Sequence, residues 1–510
     1  MTKTALISVY DKDGITEFAK DLIKRDYRII STGGTLRKLQ DEGVEVTSIE
    51  KITNFKEMLD GRVKTLHPRI HGGILAKRDN KVHMQQLKEE NIDVIDLVCV
   101  NLYPFKETVQ KEGVSDEEII ENIDIGGPSM LRAAAKNYQD VTVLTDKSDY
   151  SEVIDRIDNN TLNVEFKRSL AAKVFRFTAA YDALIAEYLT TEEYPEKLTM
   201  TFEKAQNMRY GENSHQNAAY YTQAISEKYS LSDAKQLHGK ELSYNNIRDA
   251  DAALRIISDF KDKHAIVALK HMNPCGIGIA DNLLTAWNLA YESDPISIFG
   301  GIIAANQTVD LETANKMHEI FLEIVIAPEF TDEAYDVLAK KKNIRLITLD
   351  FDKINPKKHD EVSVLGGMLI QNRDTVEEDY HNFEVVTEKQ PTKQQLEALQ
   401  FGQNVVKNVK SNAIVITSDN QTLGIGAGQM NRIDSVKIAI DKAKSKDNYE
   451  NVVLASDAFF PMNDCVEFAA KNGIKAIVEP GGSIKDQDSI DKANELGITM
   501  LFSKNRHFKH

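Results

Sequence analysis

The sequence predicts an α/β protein of more than one domain, and three observations carry that expectation. Short apolar, β-branched runs alternate with segments whose apolar residues recur at helical spacing, almost from end to end. Turns bearing glycine or proline separate them. At 510 residues the chain exceeds what one hydrophobic core supports, so roughly two to four domains are expected. In the N-terminal part the β-α-β order implies a mostly parallel sheet with helices on both faces.

Thr4–Tyr10 reads as a strand, Ile15–Arg25 as an amphipathic helix and Tyr27–Ser31 as a second strand. Thr32-Gly33-Gly34-Thr35 follows as a turn, with a helix from Leu36. A strand, a Gly-Gly turn and a hydroxyl-bearing helix start suit an anion, although such turns also serve only as connectors. Gly61–Arg69 gathers two arginines, a lysine and a histidine in an otherwise acidic chain and runs into His71-Gly72-Gly73. It reads as a loop for phosphate or carboxylate, the alternative being a basic surface loop. Val94–Val100 is a strand that delivers Asn101-Leu102-Tyr103 at its end. Ser115–Glu118 caps a helix, and Pro128 suits the first turn of another that carries Arg132 and Lys136. Val141–Thr145 is a strand, Glu165–Thr190 a long amphipathic helix, and Thr191–Lys197 a polar linker. The domain boundary is placed there, giving domains 1–197 and 198–510.

In the second part Thr199–Phe202 opens a strand ahead of a polar recognition loop, Met208–Gln216. Asp249–Phe260 reads as a helix and Ala265–Leu269 as a buried strand. The heptapeptide K-H-M-N-P-C-G, Lys270–Gly276, comes next, with a turn expected at Asn273-Pro274. Lys270 and His271 then stand where a strand gives way to a loop, the usual place for ligands in open α/β sheets. A neighbouring cation keeps an imidazole neutral and able to accept a proton, while the lysine can stabilise an oxyanion. The bland alternative is a snorkelling lysine beside a packed histidine. Zinc is not expected: the deaminase pattern needs H-x-E before P-C-x-x-C, whereas His359-Asp360-Glu361 follows Pro274-Cys275 and no C-x-x-C exists.

A helix holding Trp287 leads to Ser293–Gly301 and a strand, Ile302–Ala305. The last third echoes this order: a helix capped by Thr392 and Gln395, a strand Asn412–Thr417, and a glycine-rich turn Gly424–Arg432 before a helix. A strand, Val452–Ala455, then leads to Ser456–Asp464. The echo suggests a degenerate duplication, roughly 198–385 and 386–510, with Leu311–Tyr380 as scaffold. Gly424-x-Gly426-x-Gly428 lacks the spacing and the acidic partner of a dinucleotide site. The terminal Arg506–His510 reads as a frayed tail or as part of a site.

A net charge of −16 argues against nucleic acid and leaves a phosphorylated small molecule open. Three unpatterned cysteines, Cys99, Cys275 and Cys465, fit a reducing cytoplasm. No signal peptide or membrane span is expected.

The ordered motifs S-T-G-G-T, G-R-V-K-T-L-H-P, C-V-N-L-Y-P-F, D-I-G-G-P, R-A-A-A-K-N, R-Y-G-E-N, K-H-M-N-P-C-G, S-D-P-I-S-I-F-G-G, G-I-G-A-G-Q, S-D-A-F-F-P and R-H-F-K-H resemble one family over essentially the whole length. That family is the bifunctional AICAR transformylase/IMP cyclohydrolases of purine biosynthesis. The resemblance implies formyl transfer from 10-formyltetrahydrofolate to AICAR in the C-terminal part and closure of FAICAR to IMP in the N-terminal part. It implies a methylglyoxal-synthase-like domain followed by two cytidine-deaminase-like subdomains without catalytic zinc, and a homodimer whose transformylase sites form across the interface. By position, Lys270 and His271 match the catalytic pair for formyl transfer, and Lys64, Tyr103, Asp124 and Lys136 the cyclohydrolase constellation. Substrate contacts carried over are Ser31, Thr32, Gly33, Gly34, Thr35, Arg62, Thr65, Asn101, Gly126 and Gly127 in the first domain. In the second they are Arg209, Tyr210, Phe299, Gly300, Asn412, Arg432, Phe459, Pro461, Asp464, Arg506 and Phe508. One departure is Ser214, where proline is expected after R-Y-G-E-N; it frees the local φ and leaves the order of that loop open. Rival expectations are an enzyme with one activity only, a nucleotide-binding regulatory protein and a zinc deaminase.

Overall fold

The computed structural model describes residues 2–225, 228–351, 359–446 and 449–510. The chain divides into two compact units, Met1–Glu203 with Gln223–Ile225, and Lys204–Thr222 with Ser226–His510.

In the first unit β1 (Lys3–Ser8), β2 (Tyr27–Ser31), β3 (Val46–Ser48), β4 (Leu97–Val100) and β5 (Thr142–Leu144) make one sheet in the order β3-β2-β1-β4-β5. Every pairing is parallel. The inner strands are apolar on both faces because helices cover both sides; Ala5, Leu6, Val98 and Val143 are fully buried. Strand order reverses between β1 and β4, which leaves a crevice beyond their carboxyl ends. Two expectations change here. The helix Gly33–Asp41 begins at Gly33, so the Gly-Gly pair is its first turn. Residues Pro68–Leu75 are a helix that includes His71-Gly72-Gly73, capped by His67 through the Arg69 N–H at 3.1 Å. Proline at the first helical position and the histidine cap explain why the basic loop stops at His67.

The second unit opens with β6 (Phe202–Met208) paired to β7 (Ala218–Gln223), so Met208 ends a strand and does not open the loop. One mixed sheet follows, from β8 (Lys235–His238), β9 (His264–Lys270), β10 (Asn273–Ala280), β11 (Ile302–Ala305), β12 (Ile324–Ala327) and β13 (Arg345–Thr348). After a hairpin, β14 (His359–Val364) and β15 (Gly367–Asn372), comes a second mixed sheet. It holds β16 (Glu384–Val385), β17 (Ile414–Thr417), β18 (Thr422–Gly426), β19 (Val453–Ser456), β20 (Ala476–Glu479) and β21 (Thr499–Phe502). The orders are β10-β9-β11-β12-β13-β8 and β18-β17-β19-β20-β21-β16. Both run antiparallel, antiparallel, parallel, parallel, antiparallel. The Ser-Asp pairs break the echo: Ser293-Asp294 precede β11, whereas Ser456 ends β19 and Asp457 follows it. The helices Tyr244–Ile257 and Lys393–Val406 fill a core shared by the two sheets, with Phe260 and Phe401 rings 5.7 Å apart.

Gly424-Ile-Gly426, read from sequence as part of a turn, lies inside β18. A Cβ at Gly424 would drive into the Ala439 carbonyl oxygen, and one at Gly426 into that of Ser435, both on the helix Arg432–Lys444. Gly276 and Gly278 in β10 face the Ala290 and Ala286 carbonyls of the helix Leu283–Ser293 in the same way. The glycines therefore let a helix backbone lie directly on a strand. A methyl group added at Gly424 must separate two backbones, so Gly424→Ala is expected to cost about 3 kcal/mol of stability, read from urea midpoints.

Candidate active sites

In the first unit the crevice beyond β1 and β4 is framed by side chains that serve the backbone. Ser31 Oγ donates to Ile7 O at 2.7 Å, and Thr35 Oγ1 donates to Val9 O at 2.8 Å while accepting the Val9 N–H at 3.0 Å. Asn101 Oδ1 accepts the Tyr10 and Asp11 N–H groups at 2.5 and 3.2 Å, and its amide returns a bond to Asp11 O at 3.0 Å. These residues thus hold the frame. The N-terminal N–H groups of the helix Gly33–Asp41 are left to face an anion. Two ammonium groups attend that helix start: Lys64 Nζ lies 3.5 Å from an ideal Cβ at Gly33, and Lys12 Nζ 3.6 Å from one at Gly34. Lys12 was missed by sequence reasoning; the available signal is its place just beyond the central strand.

Asp124 sits beside this cradle. Its Oδ1 accepts the Gly127 N–H at 2.8 Å, and its own N–H donates to Tyr181 Oη at 2.9 Å. Burial raises the Asp124 pKa above the usual carboxylate value, against the pull of backbone N–H groups and of the Lys64 charge. Tyr103 is raised too, by burial first and by Asp124 second. Gly126 and Gly127 permit close approach: a Cβ would stand 2.6 Å from Thr65 Oγ1 at the first and 2.7 Å from Asp124 Oδ2 at the second. Arg62, expected on phosphate, is held by an ion pair with Glu121 and is largely exposed. Lys136 ends the helix that Gly126 begins, and about 15 Å of rise separates the two ends.

In the second unit β9 and β10 pair with Lys270 opposite Asn273, so the turn is His271-Met272. Both residues have positive φ, 52° and 60°, which makes a two-residue turn of the type that suits twisted strands. The expected turn at Asn273-Pro274 is corrected: both lie in β10, where Pro274 needs no N–H because β10 is the outer strand of its sheet and a register shift follows. Non-glycine residues resist this conformation, so their presence marks a site that the surroundings must hold. Asp249 is one such support, accepting the Met272 N–H at 2.8 Å with its half-buried carboxylate. His271 projects to solvent at the turn, and Lys270 Nζ donates to Phe299 O at 2.7 Å. That bond ties the ammonium to the backbone just before Gly300, whose φ of 69° turns the chain there; the Phe299 side chain is exposed. A cavity of about 230 Å³ lies alongside, lined by Lys270, His271, Asp294, Thr422 and Lys442 among others.

Other expected contacts are elsewhere in this unit. Arg432 is buried and spent on an ion pair with Asp457, on Ser456 Oγ at 3.0 Å and on Asn412 Oδ1 at 2.8 Å. Arg432 and Asn412 are thus joined to each other. Phe459, Pro461 and Asp464 follow β19, next to Glu479. Glu479 is fully buried and accepts the Phe460 N–H, and burial pushes its carboxyl up to about 8. Arg506 lies over the Phe508 ring, 4.5 Å from its centroid. Between them His507 is buried against Asp374 Oδ2 at 2.6 Å and Glu378 Oε1 at 2.9 Å, so the tail is anchored and not frayed. Phe459, Asp464, Arg506 and Phe508 do not line the cavity at Lys270 and His271. In the Arg209-Tyr210 loop, Gln216 closes the turn: Gly211 N–H reaches its carbonyl at 2.7 Å and Asn213 N–H its side chain at 2.9 Å. Ser214 in place of proline therefore leaves the loop closed.

A parallel α/β unit with a helix start and two ammonium groups beside a half-buried carboxylate, and a second unit of two like-ordered sheets that presents a lysine-histidine pair, give the chain the features of an α/β enzyme with two candidate sites. Among the described residues no group of His, Cys, Asp or Glu is arranged to hold a metal ion, and no helix is long and apolar enough to cross a membrane. A family profile described as AICARFT/IMPCHase bienzyme matches residues 134–442, and one described as MGS-like domain matches residues 14–129. The chain is 61% identical to the bifunctional purine biosynthesis protein PurH of Pediococcus pentosaceus, over 100% of both chains. It is 60% identical to the protein of that name from Oenococcus oeni and 59% to that from Enterococcus faecalis, again over 100% of each chain. The chain belongs to the AICARFT/IMPCHase bienzyme family: it is a bifunctional enzyme of purine biosynthesis, an AICAR formyltransferase and IMP cyclohydrolase.

His507 carries a pH signature. Burial alone would lower its pKa, but Asp374 and Glu378 outweigh that and raise it to about 9, from 6.5 in the unfolded chain. A proton held only in the folded state stabilises fully below about 6.5, and that stabilisation is lost as pH rises through about 9. Urea midpoints are expected to fall across that window, and the His507→Gln variant to lose this slope.

Proposed function

We propose that the two reactions are divided between the two units, with formyl transfer at Lys270 and His271 and ring closure at the cradle holding Lys64, Tyr103 and Asp124. The observation that carries this reading is the His271-Met272 turn: two non-glycine residues in a costly conformation, held by Asp249, beside an ammonium aimed at the Phe299-Gly300 bend.

The cosubstrate of formyl transfer is 10-formyltetrahydrofolate. His271 takes the proton of the AICAR amine as that nitrogen attacks the formyl carbon. The Lys270 ammonium stabilises the oxyanion that develops, exchanging its bond to the Phe299 carbonyl for one to substrate. Collapse breaks the formyl carbon–nitrogen bond of the folate, and the proton passes to the departing nitrogen. Phe299 and Phe508 offer exposed rings to flat heterocycles, and Arg209 and Arg506 offer cations to a phosphate.

For ring closure, the FAICAR phosphate is held at the helix start Gly33–Thr35 by backbone N–H groups with Lys12 and Lys64. Asp124, beside Lys64, orients or deprotonates the carboxamide nitrogen, which attacks the formyl carbon before water leaves. Tyr103 and Lys64 polarise the formyl oxygen and protonate the departing hydroxyl. Substrates are the small molecules AICAR, FAICAR and 10-formyltetrahydrofolate, and the enzyme works in the cytoplasm as a homodimer. The separation of Phe459, Asp464 and Arg506 from the Lys270-His271 cavity supports a transformylase site completed by a second copy.

Given AICAR and 10-formyltetrahydrofolate, the purified protein is expected to release tetrahydrofolate and IMP in step. Lys270→Ala should slow folate turnover by about 100-fold or more, the usual loss of an oxyanion donor, while added FAICAR still cyclises. Nucleotide binding without folate turnover in the wild type would favour a regulatory role instead.

A further inference from the structure

In the second unit the loop between β19 and the helix Asp464–Lys471 is tied to one buried side chain. Strand β20 runs through Ala476, Ile477 and Val478, all fully buried and apolar, and ends on Glu479, which is just as buried. Glu479 Oε2 accepts the Phe460 N–H, and Oε1 is buried with no hydrogen-bond partner among the described residues. An apolar side chain would close the end of this strand at far lower cost, because a buried carboxyl with one oxygen unmatched forfeits its hydration. The surroundings do little to offset that. Arg432, on the helix Arg432–Lys444, favours the charged form but is already paired with Asp457. Asp486, opening the helix Asp486–Leu496, opposes it, and the Cys465 thiol on the helix Asp464–Lys471 is a further neighbour. Burial is the larger influence, so Glu479 serves as a neutral acceptor.

What the bond secures is the course of the loop. Upstream, Ser456 Oγ donates to Ala458 O at 2.6 Å; downstream, the Glu467 N–H donates to Asn463 O at 3.0 Å as the helix begins. Among the described residues, the bond to Glu479 is the one hydrogen bond made by residues 459–462. It fixes Phe460 inward, where the ring is fully buried in one core cluster with Cys465 and Ile477. On either side Phe459 is left half-buried and Pro461 exposed. We propose that Glu479 is a positioning residue for formyl transfer: through Phe460 it holds the loop that presents Phe459, Pro461 and Asp464 to substrate. This rests on the expectation that those three residues contact AICAR or the folate.

The test is steady-state formyl transfer by the full-length protein, with AICAR and 10-formyltetrahydrofolate, in Glu479→Met and Glu479→Gln. Methionine fills the space without an acceptor, so KM for at least one substrate should rise at least about fivefold while kcat stays within about twofold. Glutamine keeps an oxygen for the Phe460 N–H and should return KM to within about twofold of the wild type. A methionine variant with unchanged KM overturns the proposal, because a merely structural residue changes the amount of folded enzyme and not its affinity. A glutamine variant as impaired as the methionine one overturns it too. Phe459→Ala separates this role from the site reading beneath it. If that variant leaves KM unchanged, the loop does not contact substrate and the site reading fails; if it raises KM and Glu479→Met does not, only the positioning role fails. In the wild type the Phe460 amide should exchange with deuterium as slowly as the amides of β20. Rapid exchange there overturns the proposal even where the methionine variant does not fold.

Discussion

Direct contact between a helix backbone and a strand backbone is the constraint on which the second unit depends. Strands β10 and β18 each carry two glycines, spaced one residue apart, and each receives the carbonyl ridge of a helix where side chains would otherwise stand. Close packing of this kind leaves no room to slide, because interiors are dense and backbones are rigid. The two bolted strands also meet each other: the Ile277 N–H donates to Thr422 Oγ1 at 2.9 Å, and Gly278 bridges to Gln421. The His271-Met272 turn is the free end of that clamp. His271 and Met272 keep an unfavourable conformation because β9 is paired on both sides, by β10 and β11, and β10 is pinned by a helix, with Asp249 accepting the Met272 N–H.

Both sites divide labour in the same way. Side chains that look like ligands hold the backbone, which leaves backbone N–H groups and a few cations free at the two candidate sites. Ser31, Thr35 and Asn101 fix three loop ends around the first crevice, leaving N–H groups and two ammonium groups for an anion. Arg432, Asn412 and Asp457 form a buried network below the second-half loops, where an unpaired charge would be far more costly than a paired one. Such networks add little net stability but specify one arrangement, since every alternative strands a buried polar group. His507 acts likewise for the tail, holding Arg506 and Phe508 on either side of a buried ion pair.

Much of this was legible in the residues. Helix and strand periodicities place β1, β2, β4, β5, β9, β11, β17 and β19 within a few positions, because burial imposes its period on the sequence, whereas β3, β8, β12, β13 and β20 went unread. The topological repeat was visible as an order of elements, though not through Ser293-Asp294 and Ser456-Asp457, which stand on opposite sides of their strands. Misreadings cluster at glycines. Gly33-Gly34, Gly72-Gly73 and Gly424-x-Gly426 read as turns, yet they are two helical segments and a strand. Glycine marks either a free φ or a close approach, and sequence does not separate the two.

The sequence by itself determined the family, the alternation of strands and helices, and which polar residues belong to chemistry-bearing segments, since these follow from local pattern and residue type. Only the tertiary structure decided which of those residues meet. It put Lys64 beside Asp124 and Lys270 beside Phe299, and recruited Lys12 and Asp249, which the sequence reading had not singled out. It also moved Arg432 into the core and sent Lys136 to the far end of a helix. The physical reason is that period and propensity act over a few residues, whereas a site is assembled by packing between segments a hundred or more residues apart.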